Sequence, residues 1–142
     1  MSSMLLGALS CSSLRKVGEC KRMVDAVNGG LSRLATSAAD AGATPVTYLQ
    51  LAEGYQALAK ELESTSSSDE ALNKTIGSYR ELIQRAAKQS REFSEELDRP
   101  TSTPEEEREQ EARLARLRAQ AKNEVSREAS LVRKLNGLCQ TQ

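Results

Sequence analysis

Apolar residues in this chain recur every three and four positions along four stretches, and that period restricts the fold to helices before anything else is read. The first stretch carries Val17, Cys20, Val24, Val27, Leu31, Leu34, Ala38 and Ala41 without a break in step. A repeat of 3.5 residues keeps one stripe of a helix facing a partner helix. Gly29 and Gly30 fall inside the stripe, and each costs about 1 kcal/mol relative to Ala in a helix interior. The register continues through them, so the spacing predicts one helix over about 14–41, weakened or bent at the glycine pair.

Gly42-Ala-Thr-Pro45 ends that stretch and opens the next. Pro suits the first helical position and Thr44 suits the cap. Tyr48, Leu51, Tyr55, Leu58 and Leu62 then form a seam over 45–63. The run Ser64–Ser68 breaks the pattern, and Ser67 with Glu70 has capping-box spacing, which predicts a third helix over 68–98. Leu72, Ile76, Tyr79, Ile83, Ala86, Ser90, Phe93 and Leu97 repeat there as four-three throughout, with Leu82 and Ala87 widening the stripe. A wide stripe suits a helix packed on two neighbours. Thr103-Pro104-Glu105-Glu106 opens a fourth helix over about 104–136, with acids at its positive end. Its seam is sparser: Leu114, Leu117, Ala121, Val125, Val132 and Leu135, interrupted by Glu124 and Glu128, with Asn136-Gly137 as a stop.

No segment alternates with period two, so no strands are predicted. The expected fold is all-α: an elongated antiparallel helical bundle or coiled coil of three to four long helices over 14–138. A flexible N-terminus, 1–13, and a short tail, 139–142, flank it. The helices are unequal, however. At 1.5 Å per residue the third and fourth would span roughly 45–50 Å, while the second has about 19 residues. One end of a long helix is then left without an intrachain neighbour. With one Phe, three Tyr and no Trp in 142 residues, the core is also small. Both features point to cover from another chain. The candidate interface residues are Val24, Val27, Leu31, Leu34, Tyr48, Tyr55, Leu72, Ile76, Tyr79, Ile83, Phe93, Leu97, Leu114 and Leu117.

Composition narrows the function by exclusion. The chain has no His, which removes the commonest general base and the commonest zinc ligand. GxGxxG, GxxxxGK[ST] and HExxH are all absent from the sequence. Ser12-Ser13 and Ser66–Ser68 sit where serines act as caps and linkers. The acidic run Glu105–Glu111 spirals around a helix start instead of converging on a cation. No catalytic, cofactor-binding or metal-ligating residues are expected, and no small-molecule substrate. Twenty basic residues balance 20 acidic ones, so the field that draws proteins to nucleic acid is missing and none is expected. The seam tyrosines Tyr48, Tyr55 and Tyr79 read as core fillers whose hydroxyls reach the boundary, or as a groove for a partner helix.

Cys11, Cys20 and Cys139 are odd in number and lack CxxC spacing. They read as reduced thiols, with Cys20 a small hydrophobe on its seam. Cytoplasmic placement follows. The alternative is mitochondrial, since residues 1–22 are rich in Ser with Arg15, Lys16, Lys21 and Arg22 against Glu19 alone.

The stretch from Tyr48 to Leu97, YLQLAEGYQALAKELESTSSSDEALNKTIGSYRELIQRAAKQSREFSEEL, resembles a membrane-curving BAR domain of the sorting-nexin type. The likeness lies in a helix end rich in small residues, a Ser/acidic gap and a further long heptad helix. It implies a peripheral membrane protein of trafficking, which would present a basic surface to anionic lipid at about 1 kcal/mol per Lys or Arg. The residues themselves favour a non-catalytic helical subunit or scaffold that packs its seams against itself or against other helical chains of a complex.

Overall fold

The computed structural model describes residues 15–30 and 44–140, and every regular element among them is an α-helix. Helix α1 covers 15–30, α2 is Pro45–Glu63, α3 is Glu70–Asp98 and α4 is Pro104–Gln140. The expected continuation of the first helix to 41, the flexible 1–13 segment and the targeting alternative fall wholly or mainly outside the described residues.

Local chemistry sets most boundaries. Thr44 accepts a hydrogen bond from the Thr47 N–H at 3.3 Å, and Pro45 follows it. This satisfies one of the donors that a helix start leaves free. At α3 the expected Ser67 cap is displaced. Asp69 is the N-cap, accepting from the Leu72 N–H at 2.9 Å. Ser67 instead accepts from the Asp69 N–H at 3.0 Å and donates to Glu19 of α1. Asn73 reaches back to hold Ser67 by both its backbone groups. At α4, Thr103 accepts from the Glu106 N–H, while Glu106 returns to the Ser102 N–H at 2.6 Å. The box forms one residue upstream of its expected partner. Asn136-Gly137 does not stop α4, which runs on to Gln140. Gly costs only about 1 kcal/mol inside a helix, and the packing of Leu135 and Cys139 on either side outweighs that. The expected tail thus begins inside the helix.

Contacts between side chains set the directions. The Ser94 hydroxyl donates to the Pro45 carbonyl at 2.7 Å, and Leu58, Ala59 and Leu62 pack with Tyr79, Leu82 and Ile83, so α2 and α3 are antiparallel. Glu96 meets Arg113, Arg85 meets Glu124, and Leu72 and Ile76 meet Leu135, so α3 and α4 are antiparallel too. Helix α1 lies parallel to α3, with Cys20 and Met23 beside Leu72 and Ile76 and Val27 beside Tyr79. Gly30 allows a close approach to α2: a Cβ there would collide with the Leu58 side chain. The glycine that weakens α1 by propensity is the residue that lets it close on α2.

Helix α3 is the axis of the bundle. It buries nine residues, among them Leu72, Ile76, Tyr79, Leu82 and Ile83, each large apolar side chain worth about 1.5–3 kcal/mol on leaving water. The reading of the thiols is corrected here. Cys20 and Cys139 are joined in a disulfide with Cα atoms 5.7 Å apart, within the range that such a bond spans. The helical repeat put Cys20 on the core face correctly. Its partner lay 119 residues away, in a segment taken for a tail.

Candidate functional site

Helices α2 and α4 flank α3 without closing over it, and between them lies a cleft of about 140 Å³. Helix α2 contributes Tyr48 and Tyr55. The floor from α3 includes Ile83, Ala86 and Phe93, and α4 supplies Leu117, Ala121, Glu124, Val125 and Glu128. The rings of Tyr48 and Phe93 stand 4.4 Å apart at 36°, inside the favourable range for tilted aromatic pairs. The Arg118 guanidinium lies 5.8 Å from the Phe93 centroid, a cation–π distance.

Two carboxylates make this cleft unusual. The Tyr79 hydroxyl donates to Glu128 Oε1 at 3.1 Å. Burial pushes the Tyr79 phenol well above its ordinary range, and the negative charge and hydrogen bond of Glu128 push it further. Tyr55 is raised by burial and by the same Glu128 charge. Both phenols therefore stay protonated. Glu124, one helical turn away, directs Oε1 to Arg85 Nε and to an Arg127 terminal nitrogen, both at 3.4 Å. Its Oε2 is buried with no hydrogen-bond donor among the described residues.

Of the candidate interface residues, Val27, Leu72, Ile76, Tyr79, Ile83 and Leu114 are buried within the chain itself. Val24 and Leu97 are half-buried, and Leu31 and Leu34 lie outside the described residues. Tyr48, Tyr55, Phe93 and Leu117 are the four that line the cleft. Glu124 and Glu128 read in the sequence only as interruptions of a heptad. Their i,i+4 spacing on the apolar face, level with the seam tyrosines, was the signal that marked them.

A second polar cluster ties the α3–α4 turn. Glu96 receives Arg113 Nε at 2.7 Å and Arg99 Nε at 3.3 Å. Gln110 donates to the carbonyls of Glu96 and Arg99. Burial would raise the Glu96 carboxyl, but the two guanidiniums outweigh it and hold the group below its usual range.

Among the described residues no group of three or more His, Cys, Asp or Glu side chains is placed to hold a metal ion. No helix among them is long and apolar enough to cross a membrane. No protein-family model matches this chain, and comparison with curated proteins and with solved structures also finds no match.

Proposed function

We propose that this chain is a non-catalytic helical interaction module, in which the cleft between α2 and α4 receives a helix of another protein. The observation that carries the reading is the middle of α4. Ala121 and Val125 face the cleft, yet both are exposed, Val125 by 64%. An apolar seam that runs between buried Leu114 and buried Leu135 is thus left partly uncovered by the other described residues. A groove floored by apolar side chains and walled by two helices fits an amphipathic helix laid along it. The four-three spacing of α3 supports coiled-coil-like packing between the paired helices, into which a further helix would fit in the same manner.

Panning a library of amphipathic helical peptides against the immobilised chain tests this. It should enrich binders that are lost on Ala121→Arg, a substitution that fills the cleft mouth while leaving far-ultraviolet circular dichroism unchanged. If nothing is enriched, or if the binders ignore Ala121→Arg, the reading fails.

A further inference from the structure

The far end of α4 is held differently from the rest of the bundle. Helix α1 reaches the turn before α3 through two polar ties: Lys16 Nζ stands 3.4 Å from Asp69, and the Ser67 hydroxyl donates to buried Glu19. Met23 and Val27 then seat α1 in the core. The middle of α4 is tied to α3 by Arg85–Glu124 and Tyr79–Glu128. Past Glu128 the described contacts of α4 with the other helices are apolar, from Leu131, Val132 and Leu135, and the Cys20–Cys139 bond closes the series.

The sequence weakens this same end. Asn136-Gly137 stands between Leu135 and Cys139, and a glycine inside a helix costs about 1 kcal/mol relative to Ala. A Cβ at Gly137 would meet none of the described residues within 4 Å, so no close approach asks for a glycine there, in contrast to Gly30. A stop signal thus lies inside the helix, just ahead of the residue that the disulfide holds. The two sulfurs are also unequal. Cys20 is 4% exposed among Met23, Leu72, Ile76 and Leu135, while Cys139 is half-buried in the last turn of α4. Thiol–disulfide exchange depends on access to the sulfur attacked, and Cys139 is the more open of the two.

We propose that the Cys20–Cys139 bond is a reversible redox latch: a dithiol reductant cuts it in the folded protein, the end of α4 unwinds from its own stop signal, and the apolar surface of Met23, Leu72 and Ile76 is bared while α1, α2 and α3 stay packed. One thiolate of the dithiol attacks Cys139 Sγ, forming a mixed disulfide and expelling Cys20 Sγ, which takes up a proton. The second thiolate attacks the reductant's sulfur in the mixed disulfide. That closes the reductant's own disulfide and expels Cys139 Sγ, which takes up the second proton. Two electrons pass from the dithiol to the protein. The polar ties of α1 to Asp69 and Ser67 do not involve either sulfur, so they hold α1 in place when the bond opens. The latch is independent of what the cleft receives.

The experiment uses the full oxidised chain, with dithiothreitol as the dithiol. Peptide mapping without reduction should join Cys20 to Cys139; a bond from either one to Cys11 overturns the proposal. Dithiothreitol should cleave the bond without denaturant, at a rate proportional to its concentration and little changed by low urea. A rate that climbs steeply with urea, in step with global unfolding, marks a bond reached only in the unfolded chain and overturns the latch. Hydrogen exchange of the reduced chain should speed most across 129–140, on the order of tenfold or more beyond any change in 79–98. Cys139→Ser without reductant should show the same pattern. In the reduced chain Gly137→Ala should slow exchange in that end again by about fivefold, the equivalent of about 1 kcal/mol. Exchange that rises equally in every helix, or that stays slow in 129–140, overturns the proposal, as does a reduced Gly137→Ala chain that exchanges no more slowly than the reduced parent. Removing dithiothreitol and adding oxidised glutathione should restore both the bond and the slow exchange; a chain that cannot re-form it is not latched reversibly.

Discussion

Helix α3 and helix α4 differ in a way that length does not predict. The first has 29 residues and buries nine of them; the second has 37 and buries only Leu114 and Leu135. Both begin with well-made caps and both carry an apolar seam, unbroken in α3 and interrupted at Glu124 and Glu128 in α4. The difference lies in neighbours. Helix α3 has α2 along one side and α4 along another, with α1 closing over Leu72, Ile76 and Tyr79. Helix α4 buries Leu114 and Leu135 toward its ends, meets α3 between them through Arg85–Glu124 and Tyr79–Glu128, and leaves Ala121 and Val125 exposed over the cleft. Periodicity tells which face of a helix is apolar, and topology decides whether that face is covered. The residue that a helix buries is therefore a property of the bundle, and α4 shows a seam whose cover the described chain does not supply.

The sharpest way to break this contrast is Ile83→Asp. Ile83 is 1% exposed and belongs to the larger core cluster. An unpaired carboxylate there must protonate or force the core open. A loss of several kcal/mol is expected, on the order of the largest single-substitution effects, with reduced helicity by circular dichroism. Parent-like urea unfolding would remove α3 from its place as the axis.

Next in size is the covalent tie that holds the far end of α4. Cys20→Ser, or a thiol reductant on the parent, should cost about 2–5 kcal/mol in urea unfolding. Non-reducing electrophoresis of the purified protein should show a compact band that slows on reduction. An absence of both effects would mean that the α1–α4 contact stands without its bond.

The turn between the two helices gives a pH test. The folded-state Glu96 carboxyl lies below its ordinary value of 4.5. A depressed carboxyl contributes stability that is fully present above the unfolded value and is lost as pH falls through the folded one. Acid unfolding of Arg113→Ala, which lacks the nearer guanidinium, should therefore show a weaker dependence below about pH 4.5 than the parent. Identical acid profiles would place the linkage elsewhere.

Smallest of all is Val125→Asp, the counterpart of Ile83→Asp on α4. At 64% exposure it should change stability by no more than about 0.5 kcal/mol, read by thermal melting. A larger loss would show that the middle of α4 is covered after all.

Much of the bundle was legible in the sequence because helix caps and apolar stripes are local signals. The seam of α3, the Thr44–Pro45 start and the Thr103–Pro104 start all depend on residues within four positions of one another. The Ser67-to-Asp69 shift escaped because Glu19, which takes up Ser67, arrives from another helix. The Cys20–Cys139 pair escaped for the same reason, as its two halves are adjacent only after four helices have packed. The candidate cleft was half legible. Its tyrosines and Leu117 stood on the apolar seams, whereas Glu124 and Glu128 counted as faults in a repeat until their surroundings gave them partners.

The bridge from Cys20 to Cys139 also fixes how the chain responds to force. Tension applied at the two termini enters at residue 20 and leaves at residue 139, directly through the sulfur–sulfur bond. The chain between the two cysteines, 119 residues apart in sequence, forms a closed ring that lies off the load path. Pulled in an optical trap, the oxidised chain should lengthen only through its ends, with no step for the bundle. Once the bridge is cut, the same helices become the weakest link in series. A single chemical bond thus separates a molecule that transmits tension stiffly from one that yields by unravelling.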